Sequence, residues 1–278
     1  MPGFMPVLGS ASLIYLLMSP RVNKLVYRPL MFFPVSFPDS VTEVPSLEGI
    51  VGKEYFFKGK SGQSIHGWHW HNPKAKYTFL FSHGNSGNLT IRLETSRHLL
   101  NAGASVFVYD YQGFGKSTGS PSVEGICEDA ETAHDFLVRD LGLKESDILL
   151  YGESLGAAVS TYLSTVRECS GIVMQSGFSS LKRIAREHFP LLSLYPDLLF
   201  PRPPLDSLKV LQSPHPPVLI IHGEQDTVIS VDHSQELYEG AVGRKRLLRL
   251  PLSSHADVWA SAGEECNRAL TGFIELVS

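Results

Sequence analysis

Only three cysteines, Cys127, Cys169 and Cys266, occur in the 278 residues, widely spaced and without a C-x-x-C pair. An odd number so dispersed argues against a disulfide framework and a thiolate metal cluster, and reads as reduced thiols in a cytosolic chain. Basic runs are missing too, and with a net charge of −4 the chain lacks the positive footprint that holds nucleic acid. There is no internal repeat and no low-complexity tract, so neither a solenoid nor a disordered tail is expected. Acids are absent before Asp39, whereas Phe4 to Met18 is almost wholly apolar and is followed by Arg21, Lys24 and Arg28. About 15 residues of helix reach roughly 22 Å, short of the ~30 Å hydrocarbon core. A basic region ahead of the apolar run, as in a secretory signal, is also absent. Residues 1–38 therefore read as an apolar N-terminal segment and a candidate membrane anchor, with its positive charges and the remaining chain on the cytoplasmic side. The alternatives are docking on the protein's own surface and removal by cleavage.

What is present fits one domain, residues 39–278. Hydrophobic residues make up 43% and charged residues 19%, enough to fill a continuous core. Two strand-like segments, Lys53 to Lys60 and Ser64 to His71, flank the turn Ser61-Gly62-Gln63. Trp68 and Trp70 share one face of the second, His69 and His71 the other. The histidine pair has no third ligand, so an exposed sheet face is preferred to a metal site. Strands then alternate with helices. Tyr77 to Ser82, Ser105 to Tyr111, Ile148 onward, Gly171 to Gln175, Val218 to His222 and Arg246 to Pro251 are strand-like. Helical stretches run from about Asn88 to Ala102, Ser122 to Leu141, Leu155 to Val166, Asp232 to Glu239 and Asp257 to Val277. That alternation predicts an α/β fold, a mostly parallel sheet covered on both faces, with ligands outside the carboxyl ends of its strands. The loop Gly113 to Gly115 is not a nucleotide cradle, because position 110 is Asp where a P-loop needs glycine.

Chemistry concentrates at Ile148-Leu149-Leu150-Tyr151-Gly152-Glu153-Ser154-Leu155-Gly156-Ala157-Ala158. A buried-type strand ends in G-x-S-x-G and a helix follows, the pattern of a sharp turn that presents Ser154 at a helix N-terminus. A serine nucleophile needs a base and an acid that orients the base. Downstream come His222-Gly223-Glu224-Gln225-Asp226 after one strand and Ser253-Ser254-His255 after the next. Asp226 and His255 would thus emerge at the sheet edge that carries Ser154. Glu224 and Asp232 are the other candidates for the acid, Asp257 lies two residues past the base, and His222 reads as a packed strand residue. For an oxyanion hole, the Leu155 amide comes from the turn itself. The second donor belongs to the loop His83-Gly84-Asn85, with the Asn85 amide favoured and Ser86 as the alternative.

His83-Gly84-Asn85, Tyr109-Asp110-Tyr111-Gln112-Gly113-Phe114-Gly115-Lys116-Ser117, Gly152-Glu153-Ser154-Leu155-Gly156 and Leu219-Ile220-Ile221-His222-Gly223-Glu224-Gln225-Asp226 together resemble the α/β-hydrolase superfamily. More narrowly they resemble its ABHD and bud-emergence-homologue branch, which includes acylglycerol lipases and protein depalmitoylases. The resemblance covers about residues 50–278 and implies the α/β-hydrolase fold with Ser-Asp-His machinery. One departure is Ser254, where many members carry glycine before the histidine.

The insertion at about 178–216 is the only one large enough for a cap. Eight of the eighteen prolines fall between Pro190 and Pro217, so a small, stiff Pro-rich cover is expected. Its Leu and Phe residues read as ordinary packing or as an acyl-chain wall, with Lys182, Arg183, Arg186 and His188 near anionic headgroups. The expected activity is cofactor-independent serine hydrolysis of esters or thioesters of acyl chains, of lipase, esterase or depalmitoylase type, with catalytic Ser154, Asp226 and His255 and an oxyanion hole of Asn85 and Leu155. A prolyl-aminopeptidase-like peptidase and a non-catalytic binding module of the same fold are the alternatives. Membrane contact is expected through residues 4–18 and the cap, and a chain beginning near Asp39 is expected to keep activity on small soluble esters.

Overall fold

A computed structural model describes residues 12–278. Eight strands form one twisted sheet: β1 (Gly52–Lys58), β2 (Ser64–Trp70), β3 (Thr78–Ser82), β4 (Ser105–Tyr109), β5 (Ile148–Glu153), β6 (Gly171–Gln175), β7 (Val218–Gly223) and β8 (Lys245–Leu250). Their order is β1-β2-β4-β3-β5-β6-β7-β8, antiparallel where β2 meets β1 and β4, and parallel elsewhere. Every residue of β3 and β4 is buried, which is why these strands read as unbroken apolar runs.

Strand periodicity assigns side chains to the two faces. Phe79, Phe81, Val106, Val108, Leu149 and Tyr151 join one cluster, with the helices α2 (Leu93–Asn101) and α8 (Val258–Val277). The intervening Leu80, Phe107, Tyr109, Ile148 and Leu150 face the other way, onto α3 (Val123–Arg139) and α4 (Leu155–Leu163). Each fully buried Leu, Ile or Phe contributes about 1.5–3 kcal/mol, so register errors in the central strands are strongly penalised.

His69 departs from expectation. It is buried between Tyr55 of β1 and Phe107 of β4, with ring centroids 6.3 and 5.9 Å away, although its neighbour His71 is exposed. Alternation places a side chain on a face but does not say what covers it. Burial, with smaller contributions from His71 and Lys53, pushes the His69 imidazole down to about 4. No cluster of three or more metal-binding side chains occurs among the described residues.

Between β6 and β7 lies a compact cap: α5 (Leu181–His188), two 3-10 turns at Pro190–Leu194 and Asp197–Leu199, and α6 (Ser207–Leu211). A seventh helix, α7 (Asp232–Gly240), follows β7. The N-terminal segment docks beside the cap. Residues 12–17 are helical, and α1 spans Lys24–Met31. The Tyr15 ring stacks on Tyr195 at 4.7 Å, and its hydroxyl donates to the Leu194 carbonyl at 2.6 Å. No helix among the described residues is long and apolar enough to cross a membrane; residues 4–11 of the apolar run lie outside the described residues.

Candidate active site

Ser154 bridges β5 and α4 with φ 54° and ψ −116°, a left-handed conformation that L-residues avoid. The flanking glycines make it attainable. A Cβ on Gly152 would lie 2.2 Å from the Gly156 carbonyl oxygen, and one on Gly156 would lie 1.9 Å from the Ser82 carbonyl oxygen. Strand and helix therefore touch through backbone, and the serine is thrust out of the sheet edge.

Its Oγ lies 3.2 Å from Nε2 of His255, and Nδ1 of His255 lies 2.6 Å from Oδ2 of Asp226. Three residues from three strand ends thus form one hydrogen-bonded chain. Asp226 Oδ1 accepts from the Val228 and Ile229 amides, both at 2.8 Å. Burial by itself would raise the Asp226 carboxyl, but hydrogen bonds from His222 and His255 hold it well below the usual carboxylate range. A carboxylate facing Nδ1 keeps the proton there and leaves Nε2 as the acceptor toward Ser154. The other candidate acids are occupied elsewhere. Glu224 pairs with Arg249 at 2.9 Å, and Asp257 Oδ1 accepts the Ser254 amide at 2.6 Å, shaping the loop that carries His255. Asp232 opens α7, and among the described residues the acid paired with His255 is Asp226. Ser254 does not adopt a positive φ, so the departure from glycine there introduces no strain. His222 does more than pack: its Nε2 lies 2.9 Å from the Ile229 carbonyl and 3.1 Å from Asp226 Oδ2. Its place four residues before the acid, at the end of a buried strand, is the sequence signal for that role.

The amides of Asn85 and Leu155 have no acceptor among the described residues, and both residues line the same cavity as Ser154. Ser86, the alternative donor, does not line that cavity; it pairs instead with Phe33 in a parallel ladder of Phe33–Pro34 with Ser86–Gly87. The loop is gripped from outside the sheet. The Asn85 side chain donates to the Met31 carbonyl at 2.9 Å, and the Asn85 carbonyl accepts the Phe33 amide at 2.8 Å. Asn88 Nδ2 reaches the carbonyls of Val35 and Ser36 at 3.1 and 3.2 Å. Behind the loop, buried Asp110 accepts the Leu89 amide at 2.7 Å and lies 3.4 Å from His83, while Arg92 donates to Ser86 O at 3.0 Å and lies 3.4 Å from Glu153. These supports were invisible to motif reading. A chain beginning near Asp39, expected to keep activity on small soluble esters, would lack Met31, Phe33, Val35 and Ser36 and with them these supports.

An uncharacterized protein of Mycobacterium tuberculosis is 32% identical over 234 residues, covering 83% of this chain and 80% of that protein. The alpha/beta hydrolase domain-containing protein WAV2 of Arabidopsis thaliana is 28% identical over 271 residues, 91% of this chain and 87% of that one. A family model described as Hydrolase_4, serine aminopeptidase S33, matches residues 73–210. This chain belongs to the α/β-hydrolase superfamily. Among solved structures, an esterase of Pyrococcus furiosus superposes with a TM-score of 0.72 at 21% identity, covering 88% of this chain and 97% of that one, which establishes the shared fold.

In this α/β-hydrolase Ser154 opens onto a cavity of about 400 Å³. Its floor is Ser154, Leu155 and Asn85; one wall is the cap, through Phe178, Leu181, Ile184 and Leu192, and the other is α1, through Tyr27, Leu30 and Met31. Among the described residues no carboxylate lines it. Lys182, Arg183 and Arg186 of the cap are not free for headgroup contacts. Lys182 pairs with Asp197 and Asp206, Arg183 with Glu187 and Glu236, and Arg186 with Asp197 at 3.1 Å. His188, which also lines the cavity, lies 3.0 Å from the Val228 carbonyl through Nε2.

Proposed function

We propose that the protein is a serine hydrolase of carboxylic esters or thioesters with an acyl chain, of lipase, esterase or thioesterase type. The observation that carries this reading is the Ser154–His255–Asp226 chain opening into an apolar cavity. Ser154 Oγ attacks the carbonyl carbon while His255 Nε2 takes the hydroxyl proton, and the carbonyl π pair moves to oxygen. The Asn85 and Leu155 amides receive that oxyanion, reinforced by the positive end of α4. Collapse expels the alcohol or thiol, which takes the proton from His255, and leaves an acyl-enzyme. Water activated by the same imidazole then releases the acid and restores Ser154. Asp226 remains anionic throughout and steadies the imidazolium.

The name of the matching family model favours a second reading, an aminopeptidase. Such an enzyme must hold a substrate ammonium group, and the absence of a lining carboxylate among the described residues supports the ester reading over it. Exposed Leu13, Ile14, Leu16, Leu17 and Met18 beside exposed Leu191, Leu194 and Leu198 of the cap support contact of this face with a lipid surface. Reaction with a fluorophosphonate, followed by turnover of p-nitrophenyl esters, acyl-CoA, monoacylglycerol, S-acyl peptide and an aminoacyl naphthylamide, tests the reading. Stoichiometric labelling of Ser154 with ester or thioester turnover is expected. Unlabelled, folded protein would favour a non-catalytic binding module, and turnover of the naphthylamide alone would favour the peptidase.

A further inference from the structure

The hydrolytic machinery leaves a second cavity unused. Arg21, Lys24 and Arg28, spaced along the approach to α1 and its outer face, meet Arg202 of the cap and the first turn of α3 around a space of about 270 Å³. Among the described residues Glu124 is the one acid lining it, 3.9 Å from Lys24. Among the described residues Arg21, Arg28 and Arg202 form no ion pair, and residues 1–11 contain no acid to supply one. Arg28 Nε is buried without a hydrogen-bond partner among the described residues. The contrast with the cap's Lys182, Arg183 and Arg186, all neutralised by acids, is local and specific. Like charges gathered without counterions repel, and a planar guanidinium fork suits a multiply charged oxyanion better than a single carboxylate. The N-terminal end of α3, a helix of 17 residues, adds its dipole in the same sense.

Position gives this basic cavity its meaning. Pro20, Tyr27, Met31 and Pro201 line both it and the apolar cavity above Ser154, so α1 is a partition between them. An acyl chain on one side and an anionic group on the other would belong to one molecule or to close neighbours. We propose that the basic cavity binds the phosphate group of an acylated substrate, so that the enzyme prefers esters or thioesters whose non-acyl part carries a phosphate. This rests on the serine-hydrolase reading and narrows it to a substrate class.

The test uses the full chain carrying Ser154→Ala, which binds without turning over. Calorimetric titration compares an acylglycerol phosphate, the neutral acylglycerol of the same chain length, and inorganic phosphate. The phosphate-bearing lipid is expected to bind roughly ten-fold or more tighter than the neutral one, the scale of one charge-assisted hydrogen bond. That advantage should shrink at high salt and disappear when Arg28→Gln and Arg202→Gln are added, with binding of the neutral lipid still measured as a check on the fold. Equal binding of the two lipids, or an advantage that survives both substitutions, overturns the proposal. Inorganic phosphate binding as tightly as the lipid phosphate would assign the cavity to free phosphate and overturn the substrate preference. Failure of the hydrolase reading shows separately, as natural-sequence protein that fluorophosphonate does not label.

Discussion

Deleting residues 1–38 should cripple turnover while leaving the triad intact. None of the hydrogen bonds joining Ser154, His255 and Asp226 involves the N-terminal segment, whereas the Asn85 loop depends on it. The deletion removes the acceptor for Asn85 Nδ2, the Phe33 amide that Asn85 O accepts, the Val35 amide bonded to Gly87 O, and both acceptors of Asn88 Nδ2. At about 0.5–1.5 kcal/mol for each bond, the loss far exceeds thermal energy and frees the loop to wander. A misplaced amide is equivalent to a missing oxyanion donor, which costs about 100- to 1,000-fold in kcat. Asn85→Ala is the graded control. It keeps the backbone N–H and forfeits one side-chain bond, so a loss of about ten-fold or less is expected. The assay is kcat and KM on a short soluble p-nitrophenyl ester, with thermal unfolding to confirm that the shortened chain folds and fluorophosphonate labelling to confirm a reactive serine. Full kcat in the folded, shortened chain would refute the clamp. Damage from Asn85→Ala equal to that from Ser154→Ala would refute the backbone assignment of the donor.

Ser154→Ala and His255→Ala should each bring ester turnover to near background. Asp226→Asn should lower kcat by about 10⁴, as wrong-tautomer substitution does elsewhere, whereas Asp232→Asn and Asp257→Asn should stay within about ten-fold of the natural sequence; the reverse ranking would displace Asp226. Gly156→Ala should fail to fold or lose most of its stability, because the added Cβ meets backbone at 1.9 Å; a soluble, active Gly156→Ala would contradict the close packing. His69 is depressed from 6.5 to about 4 by burial, so unfolded chain binds its proton first as pH falls. The stability is present above pH 6.5 and is lost on the way down through pH 4, a contribution of about 3 kcal/mol over that window. Urea midpoints from pH 7 to pH 4 should fall less steeply for His69→Gln than for the natural sequence; parallel slopes would remove His69 as the cause.

Much of the fold was legible because its determinants are local. Buried runs such as Thr78–Ser82 and Val218–Gly223 alternate with helical stretches whose ends carry caps, as Ser122 does by accepting the Gly125 amide at 3.0 Å. The triad was legible for a related reason: each member directly follows a strand, and parallel strands deliver their ends to one edge. Pairing between distant residues leaves no such trace. Lys182 and Arg186 read as free cations because their partners Asp197 and Asp206 lie on later turns of the cap, whereas Arg183 has one partner, Glu187, on its own helix and another, Glu236, remote in sequence. His69 looked exposed because alternation cannot reveal that Tyr55 and Phe107 close over it.

The N-terminal segment shows where composition stops being informative. Apolar side chains followed by three cations suit a membrane anchor and equally suit a strap laid over an active site, because both need an apolar face and a polar flank. What separates the two is the backbone of residues 31–36, whose carbonyls and amides bond to Asn85, Gly87 and Asn88 across about fifty positions of chain. Backbone groups are the same in every residue, so the bonds that fix the Asn85 loop leave no mark on the sequence. Nor do the two roles exclude each other. Leu13, Ile14, Leu16, Leu17 and Met18 remain exposed at the end of the strap, while Tyr27, Leu30 and Met31 wall the apolar cavity above Ser154. A surface that engaged the first group would therefore act on the same segment whose residues 31–36 hold the Asn85 loop.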